Sequence, residues 1–248
     1  MKRINIVARY KENLDWVKDL PGDTIIYNKG DDWSWDYNKI DVENYGREAE
    51  TYVRGIVDLL STDKLKNYDE IVFLQGNPLD HCPNLFEILN NKTDGYIPLC
   101  KWVTTHYTPK SDYLFSTHKH FVDLYFNETN KNMNMAEIPQ LTPVNLFFTC
   151  ADGEVIDFGN ESKDTMYLCS IIGIPYKNKV TQWANGAQYI VNTKHIMSKD
   201  LSWWKDLHDL LLYVSKDLGT DRIAYSIERI WPEIWKFKSP KLVFKGFV

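Results

Sequence analysis

Three short stretches hold candidates for proton abstraction, anion binding and hydrogen bonding to a polar ligand. In "YSIERIWPEIW", Glu228 stands among Tyr225, Ile227, Ile230 and Trp231. A carboxylate on such an apolar, aromatic face resists ionisation, so its pKa rises toward that of a general base. The plainer alternative is an ion pair with Arg229 or Lys236. In "NYGREAETY", Arg47 and Glu48 follow Gly46 in the first turn of a helical run, with Asn44 just before them. A positive charge there opposes the helix dipole. An Arg placed against that preference suits gripping a phosphate or carboxylate through its planar fork. The alternative is a solvated Arg–Glu pair. In "EIVFLQGNPLDHCPN", a hydrophobic run stops at Gln75, Gly76, Asn77 and Pro78, followed by Asp80 and His81. Nucleotide-sugar enzymes with an α/β sheet commonly end such a strand in Asp-x-Asp, which holds a divalent metal on the diphosphate. Here two amides stand in that place. Amides hydrogen-bond sugar hydroxyls or a base, but bind Mg²⁺ poorly; the alternative is a polar turn. His118 and His120 form H-x-H without a carboxylate or cysteine cluster near them, so no metal site is expected. G-x-G-x-x-G, Walker A and G-x-S-x-G are absent.

These residues need elements to position them. "INIVARY" (4–10), "TIIYNKG" (24–30) and residues 71–74 read as strands. Leu14, Val17 and Leu20 in "KENLDWVKDL" suggest a helix between the first two. "NYGREAETYVRGIVDLLST" sets Ala49, Tyr52, Val53, Ile56, Val57 and Leu60 on one helical stripe, and "NLFEILNN" reads as a short helix. Strand–helix alternation predicts an α/β fold with a parallel sheet, whose ligands bind at the carboxyl ends of the strands. Arg9, Asn28, Lys29, Gln75 and Asn77 all fall at or just past such an end, so one crevice is expected to gather them. Residues 95–165 are irregular apart from a strand in "PVNLFFTC". Residues 183–196 read as a loop into a strand and 200–218 as a helix. "TDRIAYSIERIWPEIWKF" reads as a last helix that Pro232 must end or kink, before a basic, apolar tail. Without repeats, low-complexity blocks or a clear linker, the 248 residues are expected to form a single domain, 1–248.

Composition bounds the partners. A net charge of -5 and a pI near 5.7 disfavour broad nucleic-acid binding, which needs a basic surface. Fifteen Tyr and nine Trp supply rings that fill cores or stack on flat ligands. Cys82, Cys100, Cys150 and Cys169 are widely spaced, which favours reduced thiols and a cytoplasmic protein. "MKRINIVARY" reads as a strand, not a signal peptide, and no run approaches a membrane span. The sequons at Asn91, Asn127 and Asn160 are therefore expected to stay unmodified.

"VARYKENLDWV", "YNKG", "NYGREAETYVRGIVD", "FLQGNP" with His81, "WANGAQYIV" and "IERIWPEIW" together resemble a family described only as a domain of unknown function, found in microbes, fungi and viruses. The order of "FLQGNPL", "GAQYIV" and "E-x-x-W-P-x-x-W" also resembles the core-2-type N-acetylglucosaminyltransferases and xylosyltransferases. These are inverting GT-A enzymes that lack the Asp-x-Asp metal site and set basic residues on the diphosphate. The chain is much shorter than they are, Gln75 takes a Ser place, and Ser226-Ile227 precede Glu228 where an Asp belongs.

The resemblance implies a GT-A-like (Rossmann-like) domain and a metal-independent, inverting glycosyltransferase. Its partners would be a nucleotide-sugar donor and a carbohydrate or other hydroxyl acceptor, with no further cofactor. Glu228 would be the general base. Arg47, Arg222, Lys236, Lys238 and Lys241 would meet the diphosphate, and Arg9, Asn28 and Lys29 the nucleotide. Gln75, Asn77 and Gln188 would hold sugar hydroxyls, and Trp183 or Trp231 would stack on a sugar face. Asn44, Glu48, Asp80 and His81 complete the donor site. The alternatives are a non-catalytic sugar or nucleotide binder of the same fold, and a viral transferase acting on modified DNA bases.

Overall fold

A computed structural model describes residues 1–32, 37–90, 94–100, 172, 186–217, 219 and 221–236, together with the backbone of five strands within 103–184. The main sheet has six strands: β1 (Arg3–Arg9), β2 (Asp23–Asn28), β3 (Lys39–Asp41), β4 (Glu70–Gln75), β5 (Tyr96–Pro98) and β11 (Tyr189–Asn192). Their spatial order is β3-β2-β1-β4-β11-β5. Strands β1 to β4 are mutually parallel, whereas β11 runs antiparallel to both β4 and β5. The expected α/β class with a mostly parallel sheet is the observed one. Strands β6 (Val103–Thr108), β7 (Leu124–Phe126) and β10 (Lys179–Ala184) form a second sheet, and β8 (Phe147–Thr149) pairs with β9 (Val155–Asp157). The strand read in "PVNLFFTC" is β8.

The unbroken hydrophobic run of β4 follows from burial on both faces. Ile71 and Phe73 point into one apolar cluster, and Val72 and Leu74 into the other. The first face is covered by α1 (Arg47–Ser61), α4 (Leu201–Leu212) and α5 (Arg222–Lys236). Between them stacks a ladder of rings: Phe73 on Trp235 at 5.5 Å, and Trp235 on Trp231 at 4.7 Å. At about 200 Å² and about 25 cal/mol per Å², each buried Trp stabilises by at most roughly 5 kcal/mol. Helix α2 (Leu85–Ile88) and the segment before β2 cover the opposite face, while α3 (Thr193–Met197) follows β11 directly.

Two local expectations change and a third, that Pro232 ends or kinks its helix, is narrowed. "KENLDWVKDL" forms a single 3-10 turn, Asp15–Asp19. Leu14, Val17 and Leu20 recur every third residue, which is the 3-10 period, not 3.6. Helix α4 passes into a π turn, Tyr213–Asp217, before the end expected for it. Pro232 lies inside α5 and does not end it. The proline removes the hydrogen bond to the carbonyl four residues earlier, that of Glu228. Among the described residues, no helix is long and apolar enough to cross a membrane.

Candidate functional site

The chain runs outward from β1 through β2 to β3, then returns to place β4 on the other side of β1. That reversal opens a crevice at the carboxyl ends of β1 and β4, where doubly wound sheets bind ligands. A cavity of about 510 Å³ lies there. Nine expected residues line it: Arg9, Lys29, Asn44, Arg47, Glu48, Gln75, Asn77, Asp80 and His81. The others are Ala8, Tyr10, Glu12, Gly76 and Asp221. Tyr10 and Glu12 directly follow β1 and were legible as strand-end neighbours of Arg9. Asp221 had no sequence signal beyond its place before a helix.

Much of the positive charge beneath the cavity is internally engaged. Arg9 is buried and donates to Asn28 Oδ1 at 2.6 Å and Asp31 Oδ1 at 3.0 Å. Asn28 is buried, donates to Asp41 Oδ1 at 2.8 Å and does not line the cavity; it braces Arg9 instead of meeting a nucleotide. Lys29 donates from Nζ to the Arg47 carbonyl at 2.6 Å and pairs with Glu50 at 2.7 Å. Glu50, fully buried, also accepts from Arg54 Nε at 2.6 Å and His208 Nε2 at 2.8 Å. Burial pushes the Glu50 carboxyl upward, but His208, Lys29 and Arg54 outweigh it and hold its pKa at about 2. Burial also draws the Lys29 ammonium below its ordinary value, and Glu50 only partly restores it.

The start of α1 is built by this network. Gly46 has φ 63° and Arg47 has φ 51°, left-handed conformations that cost a non-glycine residue free energy. A Cβ on Gly46 would fall 2.7 Å from Glu50 Cβ, so the glycine is required by contact as well as by φ. The Gly46 N–H donates to Ser215 Oγ at 2.7 Å, and Ser215 donates to Asp221 Oδ1 at 2.7 Å. The Arg47 side chain, about half exposed, reaches Tyr225: Nη1 donates to its hydroxyl at 2.7 Å and the guanidinium lies 4.9 Å from its ring centroid. Glu48 stands 3.7 Å from Arg47 Nε. Burial disfavours the Arg47 charge, but Glu48, Tyr225, Asp221 and Glu228 hold its pKa above the ordinary value.

The turn after β4 explains its glycine. A Cβ on Gly76 would sit 2.3 Å from Glu12 Oε2, which accepts the Tyr10 and Lys11 N–H groups at 2.7 and 3.1 Å. Asn77 donates to Asp80 Oδ2 at 2.6 Å, so amide and carboxylate present one shared polar edge. Gln188 is fully buried and does not reach the cavity. Its Oε1 accepts the Gln75 N–H at 3.2 Å and its Nε2 donates to the Pro78 carbonyl at 3.3 Å. The role expected of it with a sugar gives way to clamping this turn.

Glu228 lies behind the wall. It accepts the Gly186 N–H at 2.9 Å, and Gly186 packs so closely on His81 that a Cβ would fall 2.7 Å from the ring. Gly186 and Ala187 both have positive φ, 87° and 53°, so a second left-handed turn flanks this carboxylate. Glu228 itself is partly buried. Burial first, and the Glu48 charge second, push its pKa up to about 7; Arg229, the Gly186 N–H and Arg47 pull the other way.

Other expected residues are dispersed. Trp231 is fully buried in the ring ladder, so it offers no platform to a sugar. Lys236 ends α5 beside Glu233 and Tyr96, about 21 Å along the helix from its cavity end at a rise of 1.5 Å per residue. Arg222 opens α5 next to the cavity residue Asp221, and Trp183 falls on β10. Lys238, Lys241, His118 and His120 lie outside the described residues. Among the described residues, no three His, Cys, Asp or Glu side chains group as metal ligands. No family model, no curated protein and no solved structure matches the chain.

Proposed function

We propose that this protein is a metal-independent, inverting glycosyltransferase with a GT-A-like fold, which moves a sugar from a nucleotide-sugar donor to a hydroxyl acceptor. The observation that carries the reading is one junction. An open, polar crevice lies at the switch point of a parallel sheet, and Glu228, a carboxyl held near neutrality, stands directly behind its wall. A nucleotide fits the first feature. Proton removal from a hydroxyl at neutral pH fits the second. In the reaction, the acceptor oxygen bonds to the anomeric carbon as the bond to the diphosphate breaks. The leaving electron pair stays on the diphosphate, and the acceptor proton passes to the carboxylate. Arg47 is the cation with a half-exposed side chain at the cavity and is assigned to the diphosphate.

The test is a thermal-shift screen of nucleotide sugars in EDTA. A true donor at 100 times its Kd stabilises by about 2.7 kcal/mol. A shift that appears only when Mn²⁺ or Mg²⁺ is restored would remove the metal-free part. A second reading, a binder without chemistry, draws on Glu228 being absent from the cavity lining. Donor binding without transfer to any acceptor selects it.

Arg47→Lys keeps the charge but loses the fork. We expect it to weaken donor binding by about tenfold, or about 1.4 kcal/mol, with little change in melting temperature. Arg47→Ala that melts the protein and leaves donor affinity intact would make the residue structural.

A further inference from the structure

The Arg47 guanidinium is held from two sides. Nη1 donates to the Tyr225 hydroxyl at 2.7 Å, and the centroid of the Tyr225 ring lies 4.9 Å away. Glu48 Oε2 stands 3.7 Å from Nε. Among the described residues, Nη2 has no acceptor. The backbone of the same residue is fixed as well: its carbonyl accepts from the buried Lys29 Nζ at 2.6 Å, in a left-handed conformation with φ 51°. Glycine takes that conformation at lower cost, so an arginine there points to a task for its side chain. Tyr225 also stands apart from the other rings of its helix. It is 36% exposed, whereas Trp231 and Trp235 on α5 are fully buried. Arg47 lines the cavity and Tyr225 does not, so the tyrosine acts on the cavity only through the arginine. A long, rotamer-rich side chain is thereby restricted before any ligand arrives, which lowers the entropy cost of binding.

We propose that Tyr225 is the positioning residue of an anion clamp, holding the Arg47 fork preformed at the cavity for the diphosphate of the donor. This deepens the transferase reading above and rests on it. A guanidinium carries five N–H donors. One N–H of Nη1 goes to the Tyr225 hydroxyl, and Nε stands beside Glu48. The second N–H of Nη1 and the two of Nη2 then remain for an oxyanion, in the paired geometry that suits phosphate. The clamp makes and breaks no covalent bond. Its part is to hold positive charge where the leaving diphosphate gathers negative charge. Tyr225 and Glu228 lie three residues apart on α5 and so on neighbouring positions of one face. The turn of helix that holds the arginine therefore also sets the place of the proposed proton acceptor.

The probe is inorganic pyrophosphate, added to the full chain in EDTA. Tyr225→Phe keeps the ring and loses the hydroxyl. We expect it to bind the probe about fivefold more weakly, with an unchanged melting temperature. Tyr225→Leu, which loses the ring as well, should weaken binding by about tenfold or more. In an Arg47→Ala background, Tyr225→Phe should change affinity by less than about twofold, since no guanidinium is left to orient. The ¹⁵N–¹H signals of the Arg47 guanidinium, assigned by their loss in Arg47→Lys, give a second readout. They should be separate in the parent, merge in Tyr225→Phe and separate again when pyrophosphate is added. If Tyr225→Leu does not fold, the Tyr225→Phe measurements decide alone. Parent-like affinity in Tyr225→Phe, an equal loss with and without Arg47, or a parent that does not bind pyrophosphate would each overturn the clamp. Pyrophosphate held through Tyr225 in a protein that transfers no sugar would sink the transferase reading and support the clamp. Sugar transfer with a donor KM that Tyr225→Phe leaves unchanged would do the reverse.

Discussion

Glu228→Gln lowers turnover by about 10²-fold or more and leaves donor affinity within a few-fold. The amide keeps the shape of the carboxyl and still accepts the Gly186 N–H, seen at 2.9 Å, so the left-handed turn before β11 is retained. What disappears is the site that receives a proton. The same variant has a signature in stability. The Glu228 pKa is raised to about 7 in the folded protein from 4.5, with burial as the first cause and Glu48 as the second. The folded state therefore holds a proton that the unfolded chain releases. The stability this contributes is fully present below about pH 4.5 and is lost as the pH rises through about 7. At about 1.4 kcal/mol per pH unit, the loss reaches about 3 kcal/mol. Glu228→Gln should thus be more stable than the parent at pH 8 by up to about that amount, and close to it near pH 4.5. Denaturant midpoints at the two pH values check this without a substrate. Parent-like turnover of Glu228→Gln on an identified donor and acceptor would take the proton-transfer role from Glu228 and leave it to Glu48 or Asp80.

Glu50→Ala destabilises the protein by about 3–5 kcal/mol, the cost of stranding a buried charge. Glu50 is fully buried and holds Lys29, Arg54 and His208 together. Without it, the Lys29 ammonium, itself buried, keeps only the carbonyls of Tyr45 and Arg47. Those carbonyls shape the left-handed entry to α1, so ligand binding should suffer as well. For a chain of this size the melting temperature should drop by roughly 10 °C. The parent carries a related acid sensitivity. With its folded pKa at about 2, Glu50 contributes stability above about pH 4.5 that is lost as the pH falls through about 2. A change below about 1 kcal/mol in urea unfolding of Glu50→Ala would show that the network adds nothing to the fold.

The parallel half of the sheet was readable because β1, β2 and β4 carry hydrophobic runs that only burial on both faces explains. The carboxyl-end rule then gathered Arg9, Lys29, Gln75 and Asn77 at one crevice, since strand polarity alone decides which end of each run opens there. Helix α1 was legible from its apolar stripe, and Gly46 from its place before it. Strand β3 was not: Lys39–Asp41 is a three-residue edge with no buried side chain. Nor was the direction of β11, because antiparallel and parallel pairing draw on the same residue types. The network around Glu50 depends on His208, which is 158 positions away, and charge pairs at such separation leave no local pattern.

For the site, the sequence alone determined residue chemistry: a carboxylate among aromatics, an arginine in a first helical turn, amides ending a strand. Tertiary structure decided access. Gln188 and Asn28 carry polar groups as suitable as those of Gln75 and Asn77, yet both are spent inside the protein, Gln188 on backbone groups of the β4 turn and Asn28 on the Arg9 and Asp41 side chains. Trp231 has the ring to stack on a sugar, but its helix turns it into the core. Arg47 and Tyr225, 178 residues apart in number, meet only because α1 and α5 pack side by side. Burial and the spacing of charges then set proton affinity, and both are properties of the folded chain alone.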